Sequence, residues 1–263
     1  MHADAFDRYH HGHSLLHYLD ARIKVVVTVA FILSNVLLPD GAWGAFGLAF
    51  VFLLVANALS QLGLGFTLKR SFVALPFALV AVTAIFSIPG HPLAEWHLGM
   101  ITLIPTDAGL LRFISILIRS WLSVQIAILL VSVTEFPDII HALTHLYVPS
   151  IITTIIAFLY RYLFVLTDEV MRLMRARQAR SAAAPGSRSG GNVWWRARVA
   201  GNMAGQLFLR SYERSDRIYN AMLSRGYKGQ WMAMHVQRIQ LRDWLVGALA
   251  VCGLIVMQIV GRL

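Results

Sequence analysis

The stretch that decides the fold is 109–133, GLLRFISILIRSWLSVQIAILLVSV. It contains 25 residues, and its only charged side chains are Arg112 and Arg119. A helix needs roughly 20 predominantly apolar residues to cross a bilayer, so this stretch is predicted to be a transmembrane helix. The two arginines are seven residues apart and share nearly the same helix face. We interpret Arg112 as reaching the membrane interface and Arg119 as bonding to a neighbouring helix; a place in a substrate path is the alternative.

The rest of the chain has the same apolar character. Of its 263 residues, 57% are hydrophobic and 14% are charged, against about 25% charged in soluble domains. The other stretches predicted to cross the membrane are Val25–Leu38, Ala42–Leu59, Ser71–Ile88 and Trp244–Val260. The prediction is an all-α, polytopic membrane protein with about five transmembrane helices.

A sixth apolar stretch, Val148–Leu166, is assigned by charge. Residues 135–240 contain 14 Lys and Arg against 6 Asp and Glu, whereas loops 39–41 and 89–108 contain no Lys or Arg. Cytoplasmic loops carry the excess of basic residues, which predicts a cytoplasmic N-terminus and a sixth stretch that stays on the cytoplasmic side. Six spans are the alternative. A multi-pass protein of the bacterial inner (cytoplasmic) membrane is expected.

These predictions divide the chain into four parts. They are a His-rich cytoplasmic tail (1–24), a four-span transmembrane region (25–133), a segment of cytoplasmic coupling helices (134–240) and a last transmembrane helix (241–263).

The cytoplasmic segment is predicted to hold two long helices, Ser150–Ala184 and Val193–Arg225, joined by the Gly/Ser/Pro-rich stretch 181–192. Each helix has an arginine near its end, in Ala179-Arg180-Ser181 and in Ser224-Arg225-Gly226. An arginine at a helix C-terminus complements the negative end of the helix dipole, which is one explanation. The other is a pair of plugs for a partner with two acidic pockets, because guanidinium stays charged and bonds bidentately to carboxylate.

Three stretches carry a resemblance to a known family. They are LDARIK at 19–24, YRYLFVLTDE at 160–169 with Ala179-Arg180, and RSYERSDRIYNAMLSRGY at 210–227. In these the chain resembles the transmembrane T component of energy-coupling-factor transporters, in particular the cobalt/nickel subfamily called CbiQ. The family form of both arginine motifs is Ala-Arg-Gly. This chain departs from it at Ser181 and Ser224, which leaves Arg177 as an alternative to Arg180.

The resemblance implies a subunit without catalysis of its own. Two ATPase subunits would bind ATP and magnesium, so no cofactor is expected in this chain. They would be held by Ala179, Arg180, Ser181, Ser224, Arg225 and Gly226. A separate membrane S component would bind the metal and contact Ile155, Phe158, Tyr162, Val199, Met203 and Leu207. The choice between cobalt and nickel would be made in that other subunit.

Other patterns indicate alternatives. His141 and His145 are spaced i, i+4, which permits an intramembrane metalloenzyme, although no third ligand is evident. An autonomous ion carrier or channel is disfavoured, because the apolar stretches contain no Asp or Glu.

The histidines at 2, 10, 11, 13 and 17 are interpreted as part of a solvated tail, with metal binding as the alternative. Trp194-Trp195 followed by arginines is typical either of a membrane-surface anchor or of a packed helix. Nucleic-acid binding is not expected, since apolar helix faces interleave with the basic residues. The lipid bilayer is an expected partner.

Overall fold

The computed structural model describes residues 9–10, 12, 14–87, 89, 96–98, 101–103, 106–180, 192–229 and 239–263. The helices are α1 (Ala21–Val36), α2 (Trp43–Ser60), α3 (Leu64–Arg70), α4 (Leu75–Ala81), α5 (Thr83–Ser87), α6 (Asp107–Val133), α7 (Phe136–His145), α8 (Ser150–Arg180), α9 (Val193–Ser224) and α10 (Leu241–Arg262). A 3-10 turn, Ser71–Ala74, joins α3 to α4. Strands β1 (Trp96–Leu98) and β2 (Ile101–Leu103) pair antiparallel, with Trp96 opposite Leu103. The helical, polytopic prediction is confirmed; the hairpin was not predicted.

Length and apolarity identify the membrane helices. Within the described residues, α2, α6, α8 and α10 are long and apolar enough to cross a bilayer, and a bent pair, Gly65–Ala74 with Leu79–Phe86, would make a fifth span. Helix α1 has only 16 residues. By length and composition alone, α8 qualifies as a span although charge assigned its apolar half to the cytoplasmic side.

The predicted span Ser71–Ile88 is broken in the structure. The axis bends by 49° between Gly65–Ala74 and Leu79–Phe86. Pro76 lies in the break, where it has no backbone N–H to donate to the preceding turn and its ring crowds that turn. The apolar composition predicted the segment's place in the membrane, but the proline prevents one straight helix.

The contacts divide the described chain into two units. One unit comprises α8 and α9, and the other comprises α1–α7 and α10 with the hairpin. The core of the second unit lies between α1, α2, α6 and α10, around Phe31, Leu53, Leu122 and Met257. Helix α7 was assigned to the coupling segment by sequence, but it packs on α1 because Ala142 is buried with Ala21 and Val25.

Polar side chains tie the core helices together. The Asn35 amide donates to the backbone oxygen of Arg119 and to Ser123 Oγ, both at 3.0 Å. The Gln258 amide donates to the backbone oxygen of Ser34 at 2.6 Å. In an apolar environment an unpaired amide is costly, so these bonds fix how α1 sits against α6 and α10.

Arg119 was predicted to bond to a neighbouring helix, and its side chain bonds instead to the turn between α1 and α2. Its guanidinium donates to the backbone oxygen of Leu38 at 2.6 Å and to the Asp40 carboxylate at 2.8 Å. The Arg112 Nε lies 3.8 Å from the same carboxylate. The two arginines therefore hold the turn between α1 and α2, which explains their common face without a substrate path.

The N-terminal tail is held against the bundle where it is described. The His10 N–H donates to the backbone oxygen of Ser132 at 3.0 Å, and the His17 ring lies 2.6 Å from Ser14 Oγ and 2.9 Å from the backbone oxygen of His10. His2, His11 and His13 lie outside the described residues. The structured histidines thus have packing partners within the chain.

Gly109 sets the distance between α5 and α6. A Cβ at this position would lie 2.5 Å from the backbone oxygen of Ile85 and 2.9 Å from that of Ala84. We expect Gly109→Val to destabilise the protein by roughly 1–3 kcal/mol or more, because neither backbone oxygen can move without shifting α5. Thermal unfolding in detergent measures this. Ala108→Val, on the exposed side of the same turn, is the control. Equal melting temperatures for the two variants would contradict the close packing.

Candidate functional site

The candidate site is the unit of α8 and α9. The helices have 31 and 32 residues, or about 45–50 Å each at 1.5 Å per residue. Helix α9 has no fully buried residue. Its half-buried positions recur every three or four residues and are Val199, Met203, Leu207, Ser211, Arg214, Ile218 and Met222. This stripe is the face through which α9 is partly covered, and the rest of α9 is exposed.

An ion pair joins the two helices. Arg210 Nη1 donates to Glu169 Oε1 at 2.7 Å, and Arg172 Nη2 lies 2.9 Å from Glu169 Oε2. The Glu169 side chain is 12% exposed, so its charge is compensated largely by these arginines. This pair was not predicted from the sequence. Glu169 lies close to several arginines in the sequence, which indicates that it forms an ion pair. Nothing in the sequence specifies Arg210, 41 residues away, as its partner.

The α9 end is closed by a Schellman motif around Arg225. The Gly226 N–H donates to the backbone oxygen of Leu223 at 2.9 Å, and the Tyr227 N–H donates to that of Met222 at 3.0 Å. Gly226 has φ +81°, the left-handed conformation that glycine adopts without cost. Ser224 Oγ donates to the backbone oxygen of Asn220 at 2.8 Å. Arg225 thus occupies the C-cap position of a well-defined helix end.

The α8 end presents the second arginine. Arg180 is the last residue of α8, and both Ala179 and Arg180 are exposed, like Ser224, Arg225 and Gly226. Ser181 lies outside the described residues. No carboxylate in the described part of the chain lies within ion-pair distance of Arg180 or Arg225. Both arginines are exposed at the ends of their helices.

An apolar groove of about 480 Å³ lies within the same unit. It is lined from α8 by Phe158, Tyr162, Val165 and Leu166, and from α9 by Phe208, Ser211, Tyr212, Arg214, Ser215, Ile218, Tyr219 and Met222. The Phe158 and Tyr162 rings stack, with centroids 6.1 Å apart. Phe208 and Tyr212 are 68% and 67% exposed. Such a surface is typical of a binding site for another apolar surface.

The predicted S-component residues fall into three environments. Phe158 and Tyr162 line the groove. Ile155 is 58% exposed on α8. Val199, Met203 and Leu207 lie on the half-buried stripe of α9 and do not line the groove. The groove residues Phe208, Tyr212 and Tyr219 were not predicted, because helical periodicity alone does not say which of two apolar faces is covered.

The histidine pair has no third candidate metal ligand beside it among the described residues. The His141 and His145 rings are 4.8 Å apart, edge to face. Desolvation, followed by the charges of Arg22 and His141, holds the pKa of His145 below its ordinary value, so the ring stays neutral over a wider pH range. Within the described residues, however, no group of three His, Cys, Asp or Glu side chains is placed to hold a metal ion. The geometry gives the metalloenzyme alternative no support.

Comparison with known proteins identifies the family. The model of the CbiQ family, described as cobalt transport protein, matches residues 12–236. The chain belongs to the CbiQ family. It is 25% identical over 264 residues to the energy-coupling factor transporter transmembrane protein EcfT of Lacticaseibacillus paracasei, covering 95% of this chain and 96% of that protein.

Further relatives match most of this CbiQ-family chain. The EcfT protein of Brevibacillus brevis is 24% identical over 98% of this chain and 97% of its own. An uncharacterized protein of Methanocaldococcus jannaschii is 28% identical over 90% of this chain and 80% of its own. The chain is a CbiQ-like T component of an energy-coupling-factor transporter, and so a multi-pass membrane component of a transporter.

Proposed function

We propose that this T component couples two ATPase subunits to a membrane S component in an ATP-driven uptake transporter for cobalt, with nickel as the alternative cargo. The observation that carries the proposal is the pair of exposed arginines, Arg180 and Arg225, at the C-terminal ends of the two helices of one unit. ATP and magnesium would bind in the ATPases, and metal capture would occur in the S component. Nucleic acid has no role in this proposal.

The arginines suit an acidic partner for two reasons. Each lies where the helix dipole already favours a cation, so its position at the helix end is stabilised. Each is also exposed and free of any described carboxylate. A guanidinium held in this way can bond to a carboxylate of an ATPase with two parallel hydrogen bonds. Because the Glu169–Arg210 pair joins α8 to α9, movement of an ATPase bound at the end of either helix would be transmitted to both helices.

The groove is proposed to receive the S component. Its aromatic side chains from α8 and α9 form one apolar surface, and tyrosine and phenylalanine are frequent anchors in protein interfaces. Ile155 would extend this surface along α8. Val199, Met203 and Leu207 would contribute where the S component reaches past the groove.

We expect Phe208→Asp to release the S component and retain the ATPases. The substitution places a charge in the apolar groove that Phe208 lines. Phe208 is 68% exposed, so a partner can contact it. A loss of about 2 kcal/mol or more is typical of a central aromatic anchor. Co-purification of both partners measures the effect. Leu209→Asp is the matched control, since Leu209 is similarly exposed but does not line the groove. Equal loss from both variants would contradict the assignment.

The membrane placement completes the proposal. The chain would lie in the cytoplasmic membrane with its N-terminus inside, so that the basic segment 135–240 meets the ATPases in the cytoplasm. The apolar half of α8 would then stay on that side and be covered by protein.

Reconstitution tests the proposal as a whole. The wild-type chain is co-expressed with the candidate ATPase and S subunits, purified, and placed in liposomes with radioactive cobalt or nickel outside. We expect ATP-dependent uptake only when all the subunits are present. Uptake by this chain alone would favour a carrier. Stoichiometric metal bound to the purified chain and lost in His145→Ala would favour a metalloenzyme. Either result would overturn the coupling role.

A further inference from the structure

The first turn of α9 exposes large apolar side chains. Val193 and Trp194 are 75% and 83% exposed, and Trp195 is also exposed. Three successive helical residues point over more than half of the helix circumference, since each step turns about 100°. A single neighbouring helix could not cover all three side chains. A surface that surrounds the end of the helix could cover them.

The charges around this first turn differ from those usual at the N-terminus of a helix. Acidic residues are favoured at the positive end of the helix dipole, but the first turn of α9 has none. Arginines at 196 and 198 follow instead, and no Asp or Glu occurs from Asn192 to Tyr212. The arrangement costs the isolated helix some stability. It is complementary to a negatively charged surface.

We propose that the N-terminal two turns of α9 dock on the anionic phospholipid surface of the membrane. Tryptophan is enriched at membrane interfaces, where its ring enters the apolar layer and its N–H stays hydrated. Basic residues beside it are attracted to anionic headgroups over about a Debye length. The chain contains helices long and apolar enough to cross a membrane, so a bilayer is present wherever the protein is. A protein partner would have to be present in addition.

The docking is independent of the roles proposed for Arg180 and Arg225. It gives α9 one end fixed at the bilayer, while its other end carries Arg225 in the Schellman motif. Failure of the lipid contact would leave the ATPase contacts untouched.

Fluorescence quenching in proteoliposomes tests the proposal. The background is Cys252→Ala, which removes the exposed native cysteine. A nitrobenzoxadiazole label is attached at Ala197→Cys, one turn after Trp194 and exposed. The vesicles contain phosphatidylglycerol and phosphatidylcholine, with or without spin-labelled lipid. The reference is the same label at Glu213→Cys, an exposed position later in α9.

At position 197 we expect blue-shifted emission, quenching by spin-labelled lipid and protection from aqueous iodide. These signals should be lost in Trp194→Ala/Trp195→Ala, while the label at 213 stays unchanged and shows that the helix persists. Iodide quenching at 197 in the wild-type background would overturn the proposal. Lipid quenching that survives the double substitution would also overturn it. Equal lipid quenching in vesicles of phosphatidylcholine alone would overturn its anionic part.

Discussion

Replacing Arg180 and Arg225 together by glutamate is expected to strip the ATPase subunits from the complex and reduce ATP-dependent uptake to background. Truncating one partner of a desolvated charge pair at an interface costs about 2–5 kcal/mol. Two such losses give about 4 kcal/mol at the least, or roughly a thousandfold in affinity. Charge reversal adds repulsion from the acidic pocket.

Co-purification of the ATPases with the T component measures this effect. Arg180→Glu and Arg225→Glu alone should each weaken the association less than the double variant. Arg217→Glu is the matched control, because Arg217 is exposed on α9 but lies two turns before its end. Arg177→Glu tests the alternative first arginine. If the double variant retains the ATPases while Arg177→Glu loses them, the assignment at the α8 end is wrong.

The second large effect is expected at the link between α8 and α9. Glu169→Arg would bring a third positive charge to Arg172 and Arg210, replacing two ion pairs by repulsion. We expect α9 to separate from α8, with faster amide hydrogen exchange along the half-buried stripe and loss of uptake. The ends of both helices would remain intact, so Arg180 and Arg225 would be present but no longer connected.

A charge swap distinguishes the link from a general loss of stability. Glu169→Arg combined with Arg210→Glu restores an opposite pair between the same two helices. We expect the double variant to recover slow exchange and part of the uptake that Glu169→Arg loses. Glu213→Arg, a charge change at an exposed position of α9, is the control. No recovery in the swap would mean that the ion pair does not hold the helices.

Local signals in the sequence predicted the helices well. Helix α9 was predicted from Val193 to Arg225 and runs from Val193 to Ser224, with Arg225 as its cap. Its end was predictable because a glycine is the residue that closes a Schellman motif, and Gly226 is present. Helix α6 begins at Asp107, two residues before the apolar stretch, because Thr106 caps it: the Thr106 side-chain oxygen accepts a hydrogen bond from the Gly109 N–H.

Contacts between distant residues could not be predicted in the same way. Several arginines in the sequence could have paired with Glu169, and only the packing of α9 on α8 brings Arg210 to it. Asp40 lies in the predicted loop 39–41, but its bond to Arg119 depends on how α6 passes that loop. The groove was missed for the same reason. Which apolar face of α9 is covered is a property of the folded unit.

The most direct test of the central claim is site-specific photocrosslinking in the assembled complex. Benzoylphenylalanine is introduced at position 180 or 225, with position 217 as the control, and the complex is irradiated in membranes. The coupling role predicts crosslinks from 180 and from 225 to the ATPase subunits, and none from 217. Crosslinks from both helix ends only to the S component, or to no protein, would contradict it.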